Sequence, residues 1–256
     1  MSRLVSFGGC AFAYPWSVGV AFFLQQRSTH ASWLAASNSA GFAAALTAVC
    51  NVPPSTHKLA LACAVAEFQQ RLLGPLFFPE HRWLGIYHDV LIPHESEIIE
   101  NACSGRLFIG FTRIATSWHL FGLLPQVRLK HVVAGPESLC SSLYNLVYTI
   151  SCSQRLPPFW ACLGVDPTPE DGGRSYVFDG AATASFPVPR EAKHIVRISP
   201  VSSASDIVPG KPISASEVVT PPSPEWFQEL VQQGWKDAER QSYVFEEAGI
   251  QLAASN

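Results

Sequence analysis

The chain has 256 residues, 48% of them hydrophobic and 14% charged, with a formal net charge of −3. That length can bury a full core, and one α/β domain is the simplest expectation. The charge balance offers no basic patch for nucleic acid and no Lys/Arg run for a polybasic membrane anchor. Seven cysteines, at 10, 50, 63, 103, 140, 152 and 162, are scattered and odd in number, without a C-x-x-C pair. This predicts reduced thiols, used mostly as small buried side chains, rather than disulfides or a zinc site.

Val5 to Leu24 carries no charge and follows Met1-Ser2-Arg3, as a signal peptide or a membrane span would. Gly8-Gly9 and Tyr14-Pro15 interrupt it, so a buried strand, a glycine loop and a buried helix are expected instead. The strand is Leu4–Phe7, the loop Gly8–Ala11, and the helix runs from near Pro15 to about Gln26. With the reduced thiols, this reading points to the cytosolic side.

The next stretch, Ser32 to Leu46, reads as a short strand, a tight turn and an alanine-rich helix. Ser39 sits at the turn, with Ser37 two residues before it and Gly41 two after. This small-x-Ser-x-small spacing is that of a nucleophile elbow, in which strand and helix backbones nearly touch and bulk would part them. A serine there lies at a helix N-terminus, where free N–H groups favour developing negative charge. The same pattern also fits a plain helix cap.

Asn51-Val52-Pro53-Pro54 ends that helix. Ser55 or Thr56 is expected to cap the next one, which should run to Leu73 and stop at Gly74-Pro75. Leu76 to Pro93 reads as irregular and aromatic. Leu107–Ile114 and Gln126–Val133 read as a hairpin joined by an apolar loop from Thr116 to Pro125. In its second strand Val127, Leu129 and Val133 share one face and Arg128 and Lys130 the other. Pro136-Glu137 opens a helix to about Tyr148. Ser175–Phe178 is a short strand leading into Asp179-Gly180-Ala181, and His194–Ser199 is another strand. Pro200–Pro222 reads as a Ser/Pro/Val-rich loop or tether. An amphipathic helix then starts at Ser223-Pro224-Glu225 and runs to about Val244. Its apolar face carries Trp226, Leu230, Gly234 and Ala238, and Lys236, Asp237, Glu239 and Arg240 are polar positions. Alternating strands and helices predict a sheet covered on both faces.

In this order the segments resemble the patatin-like lipid acyl hydrolases, and within them the adipose triglyceride lipase-like branch. Val5–Phe12 with Val18–Ala21 matches the family's opening glycine motif and helix, Ser37–Gly41 its elbow, and Asp179-Gly180-Ala181 its D-G-(A/G) motif. Arg71–Leu76, Ser104–Leu107 and Thr112-Arg113 are similar to the branch's middle region. Ile198–Pro200, Ser205–Ile207 and Gln233–Asp237 are similar to segments beyond it.

The resemblance implies a three-layer α/β/α fold around a central, mostly parallel sheet. Residues 1–192 would form the catalytic domain. Residues 193–256 would add a strand, a Pro/Ser-rich connector and an amphipathic helix packed on that domain. It further implies a Ser–Asp dyad: Ser39 attacks an ester carbonyl, Asp179 takes and returns its proton, and an acyl-serine is hydrolysed by water. Backbone N–H groups of Gly8, Gly9, Cys10 and Ala11, with Ala40 as a further donor, would hold the oxyanion. The implied substrate is a glycerolipid, either triacylglycerol or phospholipid. The implied setting is peripheral attachment to a lipid-droplet or membrane surface on the cytoplasmic side, with a protein co-activator as a further partner. No cofactor or metal is implied, and no acidic loop suggests calcium.

Two departures fall at the site. Where the family has G-x-G-x-x-G, Ala11 and Tyr14 stand for the second and third glycines, and Ser37 replaces the elbow's first glycine. A positive φ at Ala11 would cost about 1–2 kcal/mol. The altered loop motivates the alternative of a catalytically weak lipid-binding or regulatory scaffold. Asp171-Gly172-Gly173 is a rival D-G-G in an apparent loop. His194 would complete a Ser…Asp…His order, but it falls within a strand and reads as structural.

Overall fold

The N-terminal apolar run folds as a strand, a loop and a helix. A computed structural model describes residues 2–29, 33–70, 80–119, 124–135, 142–152, 164–165 and 176–253. β1 (Ser2–Phe7) buries Leu4, Val5 and Phe7. In α1 (Tyr14–Arg27), Pro15 occupies the first turn, where its missing N–H forfeits no helical bond. Every residue from Tyr14 to Ala21 is buried, as are Phe23 and Leu24. The helix is apolar all round because it is covered nearly all round. Among the described residues, no helix is long and apolar enough to cross a membrane.

β2 (Trp33–Ser37) leads through a single 3₁₀ turn, Ser39–Gly41, into α2 (Phe42–Cys50), whose every residue is buried. Asn51 ends α2 in the left-handed conformation, φ 54°, which asparagine tolerates better than most residues. α3 (Pro54–Gln69) already begins at Pro54, so Ser55 and Thr56 lie inside it and do not cap it. Its expected end at Gly74-Pro75 lies outside the described residues. So does Asp171.

The stretch expected to be irregular holds α4 (Glu80–Leu91), followed by α5 (Glu95–Cys103). Their signals are short: Tyr87 and Leu91, and Ile98 and Ala102, are pairs four residues apart, and all four residues are buried. β3 (Leu107–His119) and β4 (Leu124–Ala134) pair antiparallel from Ile109↔Ala134 to His119↔Leu124. The expected Thr116–Pro125 loop is therefore mostly ladder, because pairing satisfies backbone groups a long apolar loop would strand. Leu129 is 54% exposed, so it does not lie on a buried face as its alternation suggested. Here β4 covers only the outer edge of β3.

α6 (Leu143–Cys152), β5 (Gly164–Val165), β6 (Tyr176–Asp179) and β7 (Ala192–Ile198) follow. The stretch read as a tether contains α7 (Ala215–Val219), opened by a capping box between Ser214 and Glu217. It also contributes Ile207, which is buried and bridges Ile198. The last long helix divides into α8 (Pro224–Arg240) and α9 (Ser242–Glu247). At the break, the Gln241 side chain donates to the carbonyls of Asp237 and Val208.

The sheet is mostly parallel and flanked by helices, a three-layer α/β/α arrangement. β1 pairs parallel with β2 and β7, and β2 pairs parallel with β3, while β6 is antiparallel to both β3 and β5. Register fixes the key feature. β4 runs along one edge of β3, so β2 and β6 must share the other edge. β2 ends with Ser37 opposite Ile109, and β6, coming the other way, ends with Asp179 opposite Phe111. The two strand ends meet head-on beside Gly110.

α8 crosses α1 at very close range. A Cβ on Gly19 would strike the Val231 carbonyl, and one on Gly234 would strike the Trp16 carbonyl, both well inside van der Waals contact. Asp237, expected as a polar surface position, is buried: Trp16 Nε1 donates to its Oδ2 at 2.9 Å and Arg240 Nη2 donates to its Oδ1 at 2.9 Å.

Candidate active site

Ser39 stands at the turn between β2 and α2 with φ 47°. A non-glycine residue in the left-handed region is strained by roughly 1–3 kcal/mol and persists only where its surroundings dictate it. Here they do. Asn38 N–H donates to Phe7 O and Gly41 N–H to Asn38 O, closing the turn. A Cβ at Gly41 would stand 2.8 Å from Phe7 O and 2.9 Å from Gly8 O, so only glycine lets the helix start this close to β1. Ser37, the other small elbow residue, is fully buried.

Ser39 Oγ donates to Asp179 Oδ2 at 3.2 Å. The other carboxylate oxygen, Oδ1, accepts from Ala181 N–H at 2.8 Å in the 3₁₀ turn Gly180–Ala182. Asp179 is 7% exposed. Burial raises its carboxyl above the usual aspartate range, and the bonds from Ala181 and Ser39 oppose that shift. A carboxylate so raised is a better proton acceptor than an exposed one. Gly180 lets the strand ends close up: a Cβ there would strike Gly110 O and lie 2.9 Å from Asn38 Cβ.

The glycine loop faces the serine, since a Cβ on Gly9 would lie 3.2 Å from Ser39 Cβ and 3.6 Å from its Oγ. The expected oxyanion set needs one correction. Gly8 N–H donates to Ile198 O at 2.9 Å, continuing the β1/β7 ladder, and so is not available to a ligand. The N–H groups of Gly9, Cys10, Ala11 and Ala40 meet no acceptor among the described residues. Ala11 holds φ 43° despite its Cβ, the conformation a glycine would adopt freely. Ser199 Oγ donates to Gly9 O at 3.4 Å from the end of β7. Cys10 is a buried small side chain, and burial pushes its thiol up to about 12.

His194 is excluded as a triad member. It is exposed and lies opposite Arg3, four residues before Ile198, or about 13 Å along the strand from the end that borders the site. Residues that sequence reasoning did not single out complete the surroundings. Asn38 Nδ2 donates to Ala184 O at 2.6 Å and to Ser185 O at 3.3 Å, tying the elbow to the loop after Asp179. Thr112, Thr183 and His131 stand behind Asp179. Only Thr112 carried any signal, through the Thr112-Arg113 resemblance. Gly9, Ala181, Ser185, Ser199 and Ser202 line a cleft of ≈ 330 Å³ between the glycine loop, the turn after Asp179 and the segment after β7.

A buried carboxylate bonded to a strained serine at a strand–helix turn is an arrangement suited to acyl transfer. No family model matches the chain. Over 263 aligned positions it is 27% identical to patatin-like phospholipase domain-containing protein 2 of Rattus norvegicus, covering 92% of this chain and 50% of that protein. The same identity and coverage of this chain hold for the Mus musculus and Homo sapiens proteins, with 49% and 47% of their lengths covered. The chain thus spans about half the length of the curated relatives it matches. This similarity to proteins named as patatin-like phospholipases agrees with the resemblance carried by the glycine loop, the elbow and the Asp179-Gly180-Ala181 motif.

Proposed function

We propose that the chain is a serine acyl hydrolase that cleaves fatty-acyl esters of glycerolipids through a Ser39–Asp179 dyad. The observation that carries this reading is the 3.2 Å bond from Ser39 Oγ to the buried Asp179 Oδ2. In the proposed cycle Ser39 attacks the ester carbonyl while its proton passes to Oδ2. The proton then goes to the departing alcohol, leaving an acyl-serine. Water repeats the sequence and frees the acid. The N–H groups of Gly9, Cys10, Ala11 and Ala40 are the donors in reach of the loop and elbow for the oxyanion, each such donor being worth about 2.7–4 kcal/mol in related chemistry.

The adipose triglyceride lipase-like branch, on the resemblance of the middle segments, favours neutral glycerolipid over phospholipid. We place the protein on the cytoplasmic side, attached peripherally to lipid-droplet or membrane surfaces, with a co-activator as a partner. In this reading residues 1–192 form the catalytic domain and residues 193–256 pack on it. The strain at Ala11 sustains one other reading, a weakly catalytic lipid-binding scaffold.

The deciding assay is fatty-acid release from triacylglycerol, phosphatidylcholine and galactolipid by the wild type, Ser39→Ala and Asp179→Asn. Release by the wild type that both folded variants lose is the expected result, and the preferred lipid names the substrate class. A wild type no better than Ser39→Ala on every lipid leaves the scaffold as the surviving reading.

A further inference from the structure

Behind Asp179 runs a chain of hydrogen bonds whose direction can be worked out. Thr112 Oγ1 lies 2.6 Å from the Asp179 carbonyl oxygen, which can only accept, so Thr112 donates. Its one proton is then in use, and the 2.8 Å contact between Thr112 Oγ1 and Thr183 Oγ1 needs Thr183 as donor. Thr183 has likewise used its proton, so at 3.3 Å His131 Nδ1 donates to Thr183 Oγ1. The chain therefore requires the Nδ1–H tautomer of His131, with a bare lone pair on Nε2. Nε2 is buried and meets no partner among the described residues, which suits a neutral ring and would leave an N–H unsatisfied in a protonated one. Burial also lowers the His131 pKa below that of a free imidazole.

The sheet register brings these groups together. Thr112 is opposite His131 on β4 and opposite Phe178 on β6, so the chain ties three strands. The ring fits because residue 110 is glycine: a Cβ there would stand 3.0 Å from His131 Cε1.

We propose that His131 and Thr183 are positioning residues for the Asp179 carboxylate, acting through Thr112 and the 180–182 turn. Thr112 holds the carbonyl at the start of that turn. Thr183 follows its last residue, with its own N–H donating to Gly180 O. The turn between them presents Ala181 N–H to Oδ1, which leaves Oδ2 facing Ser39. None of the three side chains bonds to Ser39, so their effect on it passes through Asp179. This inference rests on the Ser39–Asp179 reading.

The test compares isosteric and conservative replacements. Thr183→Val keeps shape and removes the hydroxyl, whereas Thr183→Ser keeps the hydroxyl. His131→Leu removes the donor, whereas His131→Gln supplies an amide N–H. Each is assayed by the rate of Ser39 labelling with a fluorophosphonate and by kcat and KM on a p-nitrophenyl ester, with thermal melts to confirm folding. Thr183→Val and His131→Leu should slow labelling and lower kcat by about 10- to 100-fold, the loss expected from a base misplaced by about an ångström. KM should barely move, and Thr183→Ser and His131→Gln should recover most of the rate. If Thr183→Val does not fold, the His131 pair decides. A folded Thr183→Val that labels at the wild-type rate overturns the positioning role alone. So does a Thr183→Ser as slow as Thr183→Val. A wild type labelled no faster than Ser39→Ala overturns the dyad, and this proposal with it.

Discussion

Ser39 and Ala11 both hold positive φ, at 47° and 43°, in two neighbouring turns. Ser39 cannot be relieved without losing its hydroxyl, but Ala11 can. Ala11→Gly removes an αL penalty of about 1–2 kcal/mol and adds about 0.5–1 kcal/mol of unfolded-chain entropy, so a net gain of up to about 1.5 kcal/mol is expected. Urea unfolding would read the gain, and a parallel rise in the fluorophosphonate rate would show that the loop also limits turnover. A second residue-scale expectation follows from Asp179. Its folded pKa is raised above 3.8 by burial, so folding disfavours the ionised form. The resulting penalty is absent below pH 3.8, grows as pH rises through the raised pKa, and is constant beyond it. Asp179→Asn should therefore gain stability relative to wild type between acid and neutral pH, measured by urea midpoints at both. On the proposed dyad, the acid limb of wild-type kcat/KM should lie above the ordinary aspartate range, because Asp179 must be ionised to accept the Ser39 proton.

At the scale of elements, the α1/α8 crossing sets the thickness of one layer. Gly19 and Gly234 each sit against a carbonyl of the opposing helix. Gly234→Ala would raise helix propensity by about 1 kcal/mol yet force the helices apart, and overpacking of this kind costs about 1–3 kcal/mol. A lower melting temperature with labelling of Ser39 largely preserved is the expected result, since α8 packs on α1 and α3. An unchanged melt would mean the crossing adjusts without strain. The same crossing explains Asp237. Its sequence position reads as surface, but Trp16 and Arg240 satisfy it inside the contact. No helical periodicity distinguishes such a residue from a solvated one.

Across the whole molecule, the site exists because two strands end against one another on a single edge of β3. Ser39 and Asp179 are 140 residues apart in the chain. Gly180 sits where β6, the elbow and Gly110 converge. Gly180→Ala should cost more than Gly234→Ala in reactivity, because the added Cβ drives Asp179 from Ser39. Loss of fluorophosphonate labelling in a variant that still melts cooperatively would bear this out. Wild-type labelling would show that the strand ends tolerate separation.

The sequence by itself determined the local pieces: the strand–loop–helix of residues 2–27, the elbow with Ser37, Ser39 and Gly41, and the short strand ending at Asp179. Each depends on residues near in the chain, where turn sterics and hydrophobic spacing act directly. Tertiary structure decided the rest. Helix α4 forms in an aromatic stretch whose period is legible only once Tyr87 and Leu91 have something to pack against. Gly8 loses its N–H to Ile198 because β7 pairs beside β1, a partner 190 residues away in the chain. Thr183 and His131 carry no motif, and Asn38 and Thr112 lie in matched segments that do not show what they hold, since their roles arise from hydrogen bonds between strands whose order and register no local pattern encodes.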